Sequence, residues 1–229
     1  DCNCVAFTKE QKARFNAANL GGKLEEARVV VKEILKSPDN CCQAIGFSME
    51  AILLNTEGKT DESYTSARKA LGLLKSGYST YAAIESNRMA GMYYNRKRKP
   101  DSSIIYYYKS LETAEKEKDY YITAKLYANI SVVYINQKQI DKGLELTKKS
   151  LNAALLSKDT NAIAQAYSNI VTMYGQMYDE TDNMAYLDSS EQLAATALIY
   201  AKASKQPINL IRNYLSMTKF GIARENYNQ

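Results

Sequence analysis

Four cysteines are the residues of this 229-residue chain best suited to chemistry, and all lie in its first fifth: Cys2 and Cys4, then the adjacent pair Cys41 and Cys42. Their even count admits a disulfide between the Cys2/Cys4 tail and the Cys41/Cys42 helix start. Free thiols, a thiolate metal site and lipid attachment near the start are the other readings. The Cys-x-Cys and Cys-Cys spacings argue against the metal, because they lack the usual two-residue gaps. His is absent altogether, which removes the commonest general base and metal ligand. Nineteen tyrosines and the carboxylates remain, but no nucleophile-base pair, phosphate loop or metal spacing joins them. The expectation is a protein without enzymatic activity, cofactor or metal.

Composition sets the frame for these residues. The chain is 45% hydrophobic and 24% charged with a net charge of +5, too apolar and too weakly charged for disorder. A mean hydropathy of -0.42 and the lack of an apolar run of ~18 residues exclude a membrane-spanning helix in this stretch. Thirty basic and 25 acidic residues are spread along the chain, so nucleic acid is not an expected partner. The one basic run, Arg96 to Lys99, precedes Pro100, where cations complement the end of a helix. The chain begins at Asp1 rather than Met, so the expectation is that upstream residues have been removed, and no signal peptide can be read.

Elements follow from punctuation and period. Pro38, Pro100 and Pro207 fall between apolar-periodic stretches and interrupt none, which predicts long amphipathic helices joined by short turns. Shifting the sequence by forty residues aligns Lys69-Ala70-Leu71 with Lys109-Ser110-Leu111 and Lys149-Ser150-Leu151, and Tyr94 with Tyr134 and Tyr174. Asp61, Asp101 and Asp141 align too, as do Tyr127 with Tyr167 and Asn129 with Asn169. Further on the offset is 47, since Tyr167 matches Tyr214 and Leu151 matches Leu198. The extra residues between Tyr174 and Leu187 are expected to lengthen a loop. Each unit divides into two helices, with the recurrent acids at or facing their starts.

Within each unit the residues resemble the tetratricopeptide repeat. The first-helix places are taken by Asn87, Ala90-Gly91 and Tyr94, by Tyr127, Ile130-Ser131 and Tyr134, and by Tyr167, Ile170-Val171 and Tyr174. The second-helix places are Ser103, Tyr107 and Ser110, then Gly143, Thr147 and Ser150, then Ser190, Ala194 and Ala197. Small residues let helices approach closely while the recurring tyrosines fill the spaces between them. The unit is about six residues longer than the usual ~34, as in kinesin light chain, LGN-type adaptors and bacterial signalling proteins. The expected fold is an all-α superhelical solenoid, a single domain of five hairpins and a terminal helix. Its units run roughly 7–40, 41–77, 78–117, 118–157 and 158–204, and the last helix 207–226.

The resemblance implies a protein or peptide partner held by the first helices, with Asn129 and Asn169 in the position that commonly hydrogen-bonds an extended backbone. Spacing puts Arg88, Met92, Asn95 and Arg96 of the third unit on or beside that face. Lys125, Val132 and Asn136 of the fourth and Gln165, Thr172 and Gln176 of the fifth join them. The basic clamp of chaperone-binding members is not reproduced, since Met89 stands where a polar residue would be needed. The resemblance further implies the sensor or interaction part of a larger bacterial protein, extracytoplasmic, with a cytoplasmic location open. A structural adaptor that assembles through its ends or convex face is the alternative, and the oligomeric state is left open.

Overall fold

A computed structural model describes Cys4 and residues 7–76, 78–204 and 207–227. Among the described residues there are eleven α-helices and no strand. Helices α1 (Lys9–Leu20), α2 (Leu24–Leu35), α3 (Asn40–Thr56), α4 (Thr60–Leu73), α5 (Thr80–Arg96) and α6 (Pro100–Lys116) make up one compact unit, Asp1–Lys116. Helices α7 (Tyr120–Asn136), α8 (Ile140–Ser157), α9 (Thr160–Thr181), α10 (Met184–Ala203) and α11 (Pro207–Tyr227) make up a second, Glu117–Gln229. The first contains three antiparallel hairpins and the second two hairpins followed by α11.

The chemistry of the caps explains where the helices start. Asp39, Asp119 and Asp159 each stand at an N-cap and accept a hydrogen bond from a first-turn N–H, at 2.9 Å from Cys41, 3.1 Å from Ile122 and 2.7 Å from Ala162. Such caps are worth about 1 kcal/mol each. Three of the second helices, α4, α6 and α8, begin differently. Asp61, Asp101 and Asp141 lie inside their first turns and act on the helix dipole. Pro100 and Pro207 are themselves first residues of helices, where a missing N–H costs nothing.

The turns repeat a single geometry. Arg98, Lys118, Lys138 and Lys158 follow one another at intervals of twenty, all with φ between 55° and 60°. Gly22 and Gly58 take the same left-handed region. At four of these turns the residue after the left-handed one donates back across the turn: Lys23 to Ala18 O, Lys59 to Leu54 O, Lys99 to Tyr94 O and Gln139 to Tyr134 O, all 2.9 Å. This is how orphan carbonyls at a helix C-terminus are satisfied.

Serine hydroxyls staple the hairpins from inside. Ser63 Oγ donates to Ala51 O at 2.7 Å, Ser103 Oγ to Gly91 O at 2.8 Å and Ser190 Oγ to Val171 O at 2.8 Å. In the fourth hairpin the matching position is Gly143, whose missing Cβ leaves room for Ile135. A second set, Ser110 to Ile84 O at 2.7 Å and Ser150 to Ala124 O at 2.8 Å, ties α6 to α5 and α8 to α7 one helix-length away. Small residues recur at these slots because helix backbones meet there.

One expectation is overturned. The extra residues after Tyr174 form helix, not loop: α9 is 22 residues long against 17 for α7, and α10 is 20 against 18 for α8. Only Asp182 and Asn183 connect α9 to α10. Gly175, Met177 and Leu187 are buried, and Tyr178 and Met184 pack on the core around Leu187 and Phe220. The insertion thus has an apolar face of its own, which carries the helices on by about a turn.

Candidate functional site

In the first unit, α5 offers less open surface than its sequence suggests. Arg88 donates twice to Glu85 Oε2, from Nε at 2.8 Å and from a terminal nitrogen at 2.6 Å. The two side chains are 13% and 8% exposed. Burial opposes the Arg88 charge, and the Glu85 carboxylate outweighs it, holding the guanidinium pKa above its ordinary value. Met92 is half-buried against the core cluster of Ala51, Ala67 and Met89, and Asn95 is half-buried. Arg96 is exposed and reaches across to Thr60 Oγ1 at 2.9 Å. Beside it Lys97 pairs with Asp61 at 2.9 Å, at a shallow polar pocket lined by residues 58–62.

The N-terminal tail is bound to this unit. Cys4 is buried and bonded to Cys42 at the start of α3. Cys41 is also disulfide-bonded, and no described cysteine is free. Cys2 lies outside the described residues. Past the bridge, the Phe7 ring lies 4.9 Å from that of Tyr81 on α5, and Lys12 Nζ stands 5.1 Å above the same Tyr81 ring. Burial raises the Tyr81 hydroxyl pKa well above normal, with the Glu85 charge adding to it. Among the described residues no group of His, Cys, Asp or Glu could hold a metal ion.

In the second unit the expected residues share faces. Lys125, Asn129, Val132 and Asn136 are spaced i, i+4, i+7, i+11 along α7, and Gln165, Asn169, Thr172 and Gln176 repeat that spacing on α9, which is one stripe of a helix. Val132, Asn136, Thr172 and Gln176 are exposed, while Lys125, Asn129, Gln165 and Asn169 are half-buried. The Lys125 ammonium lies 4.0 Å from the Tyr121 ring centroid and donates to its hydroxyl. Gln165 donates to Asn161 Oδ1 at 3.4 Å, and Thr172 Oγ1 donates to Ser168 O at 2.8 Å.

Helix α11 extends this surface in a way that sequence reasoning missed. Asn209 Nδ2 donates to Asn161 Oδ1 at 2.9 Å and Asn213 Nδ2 to Ser168 Oγ at 3.1 Å. These contacts put α11 beside α9 in the register that the 47-residue offset describes. Arg212, Ser216 and Lys219 thereby occupy the places of Gln165, Asn169 and Thr172. Lys219 pairs with Asp179 near the end of α9. The Tyr167–Tyr214 match was the available signal, had it been extended two residues back and five forward.

Comparison with known proteins agrees with this geometry. No protein-family model matches the chain, and no curated protein matches it in sequence. Solved structures do match in fold. The apo form of RapI superposes with a TM-score of 0.66 at 17% identity over 98% of this chain and 63% of its own. A signal transduction ATPase with a tetratricopeptide repeat sensor from Pyrococcus horikoshii gives 0.62 at 18% identity over 94% of this chain and 35% of its own. A Podosopora anserina putative kinesin light chain with nearly identical TPR-like repeats gives 0.58 at 10% identity, over 86% and 98%. The fold is therefore of the tetratricopeptide repeat type. No helix among the described residues is long and apolar enough to cross a membrane.

Proposed function

We propose that the chain is a non-enzymatic binding module that holds a protein or peptide segment against the exposed faces of its first helices. On this reading it is the sensor or interaction part of a larger bacterial protein that is exported or takes part in signalling. The observation that carries it is the repetition of one polar stripe on α7 and α9, with Asn129 and Asn169 in equivalent places. A primary amide both donates and accepts, which suits the alternating groups of an extended backbone. The disulfide-bonded state of Cys4, Cys41 and Cys42 supports an oxidising, extracytoplasmic setting. The test is selection of random 12-residue peptides displayed on phage. The wild-type chain should enrich a peptide set that the N129A/N169A variant fails to retain at an unchanged melting temperature. Equal retention by both chains would count against the groove.

A second reading, end-on assembly, is favoured by the outer face of α11. Ile208, Ile211, Leu215 and Ile222 lie on one stripe and are 51%, 53%, 66% and 55% exposed, a surface suited to further packing. Light scattering of the wild type and of Leu215→Glu would decide it: a monomer at high concentration in both removes this reading.

A further inference from the structure

We propose that the outer stripe of α11 pairs with the same stripe of a second copy of the chain, the two helices running parallel in a short coiled coil. This rests on the end-on reading above and names its partner and geometry. Ile208, Ile211, Leu215, Thr218 and Ile222 follow one another at steps of 3, 4, 3 and 4, the alternation of heptad positions a and d. The four aliphatic members are each more than half exposed. Thr218 Oγ1 already donates to Tyr214 O at 2.9 Å, so closing the seam leaves its hydroxyl proton satisfied. On the other side of the helix Asn209, Asn213 and Phe220 are buried. Helix α11 is thus ordered before it pairs, which removes the main cost that so short a coiled coil would otherwise meet.

The stripe is not the pattern by which hairpins stack within the chain. Under the offsets of 40 and 47, the same five places hold Ile or Leu once on α5, at Ile84, once on α7, at Ile135, and never on α3 or α9. Small residues such as Ala44, Ser48, Ala164 and Ser168 stand there instead, because repeat helices meet closely at these slots. Large aliphatics in an a/d register are knobs for a coiled-coil partner. The α1 end cannot supply it, since Lys9, Glu10, Lys12, Arg14 and Asn16 are exposed on α1 and Leu20 is the one large aliphatic exposed there. A second α11 does match, and one patch meeting itself closes a two-fold dimer. Register sets the direction: parallel helices close all five layers, whereas antiparallel helices, which match a with d, leave Ile208 or Ile222 without a partner. The flanks agree, because parallel pairing sets the e positions, Arg212 and Lys219, against the g positions, Pro207 and Tyr214, so no like charges meet.

Sedimentation velocity on the 229-residue chain supplies the experiment. Two heptads make a small seam, so monomer should give way to dimer in the micromolar range, and no larger species should form. Leu215→Glu should weaken the dimer at least a hundredfold at an unchanged melting temperature. Leu156→Glu, at an exposed aliphatic of α8, should dimerise as the wild type does. Ile208→Cys should be cross-linked to its own copy by a short bismaleimide, with the wild type as the control for the native cysteines, and adding Leu215→Glu should abolish the product. Species larger than a dimer that Leu215→Glu dissolves would overturn the closed pair while leaving end-on assembly standing. So would a dimer that cross-links through I208C/T218C but not through I208C alone, the mark of antiparallel helices. A wild-type chain that stays monomeric up to about 500 µM, or a dimer indifferent to Leu215→Glu, would remove the pair and the end-on reading of α11 together.

Discussion

The ring of Tyr107 lies so close to Gly91 that a Cβ on Gly91 would stand 2.5 Å from its Cδ1 and 2.6 Å from its Cε1. Tyr107 is 1% exposed, so its ring cannot swing into solvent to make room. The neighbouring Ser103 donates to the Gly91 carbonyl at 2.8 Å. The α5–α6 hairpin is therefore built on contact between a backbone and an aromatic face. Gly91→Ala should lower stability by about 2 kcal/mol through overpacking, measured by urea unfolding, and Tyr107→Leu in the same chain should recover part of the loss. An Ala variant as stable as the parent would show that the ring is loosely held.

The left-handed turn residues make the opposite prediction. Lys138 has φ 60°, a conformation that is costly for a residue with a Cβ. Lys138→Gly should raise stability by up to about 1 kcal/mol. Gly58→Ala, at φ 80°, should lower it by a similar amount. Thermal denaturation of both variants reads the pair, and changes of the same sign would refute the turn geometry.

The Cys4–Cys42 bridge closes a span of 38 residues that contains α1 and α2. The chain-entropy account gives about 4 kcal/mol for a loop of this length. The C4S/C42S variant should lose hydrogen-exchange protection in α1 and α2 first, while α7 to α10 keep theirs. Uniform loss along the chain would contradict this.

Alkaline pH should unfold the protein. Burial lifts the hydroxyl pKa values of Tyr64, Tyr81 and Tyr107 above the ordinary 10.0; at Tyr64 the hydroxyl contact with Tyr94, at 2.6 Å, adds to the effect. The folded chain therefore holds these protons when the unfolded chain has released them. Their contribution is complete below pH ~10 and is lost as pH rises above it. Absorbance near 295 nm should show these tyrosines ionising only together with the loss of helical circular dichroism. Ionisation with the helices intact would contradict their burial.

The hairpins were legible because helix formation is local. The forty-residue repeat, the capping acids and the small-residue slots at Ser103, Gly143 and Ser190 can all be read along the chain. So can the shared stripes of α7 and α9, since spacing on one helix fixes which side chains share a face. The insertion after Tyr174 was misread because polar residues such as Asp179 and Glu180 suggest a loop. Its apolar positions have meaning only once Phe220 and Leu187 are seen to cover them. Arg88 looked like an open cation, but the structure gives it to Glu85 three residues away on the same turn.

By itself, the sequence determined that the chain is a series of helical hairpins and which residues each helix presents together. Only the tertiary structure decided which of those faces are covered. Helix α11 shows the difference most clearly: Asn209 and Asn213 are buried at 0% and 1% exposure, while Ile208, Ile211 and Leu215 on the same helix face outward. Hydrophobicity alone would have oriented it the other way. The hydrogen bonds from Asn209 to Asn161 and from Asn213 to Ser168 come from residues more than forty positions away. They satisfy the amide N–H donors of Asn209 and Asn213, which would otherwise be costly to bury. Such partners are set by how helices stack, and no local period records them.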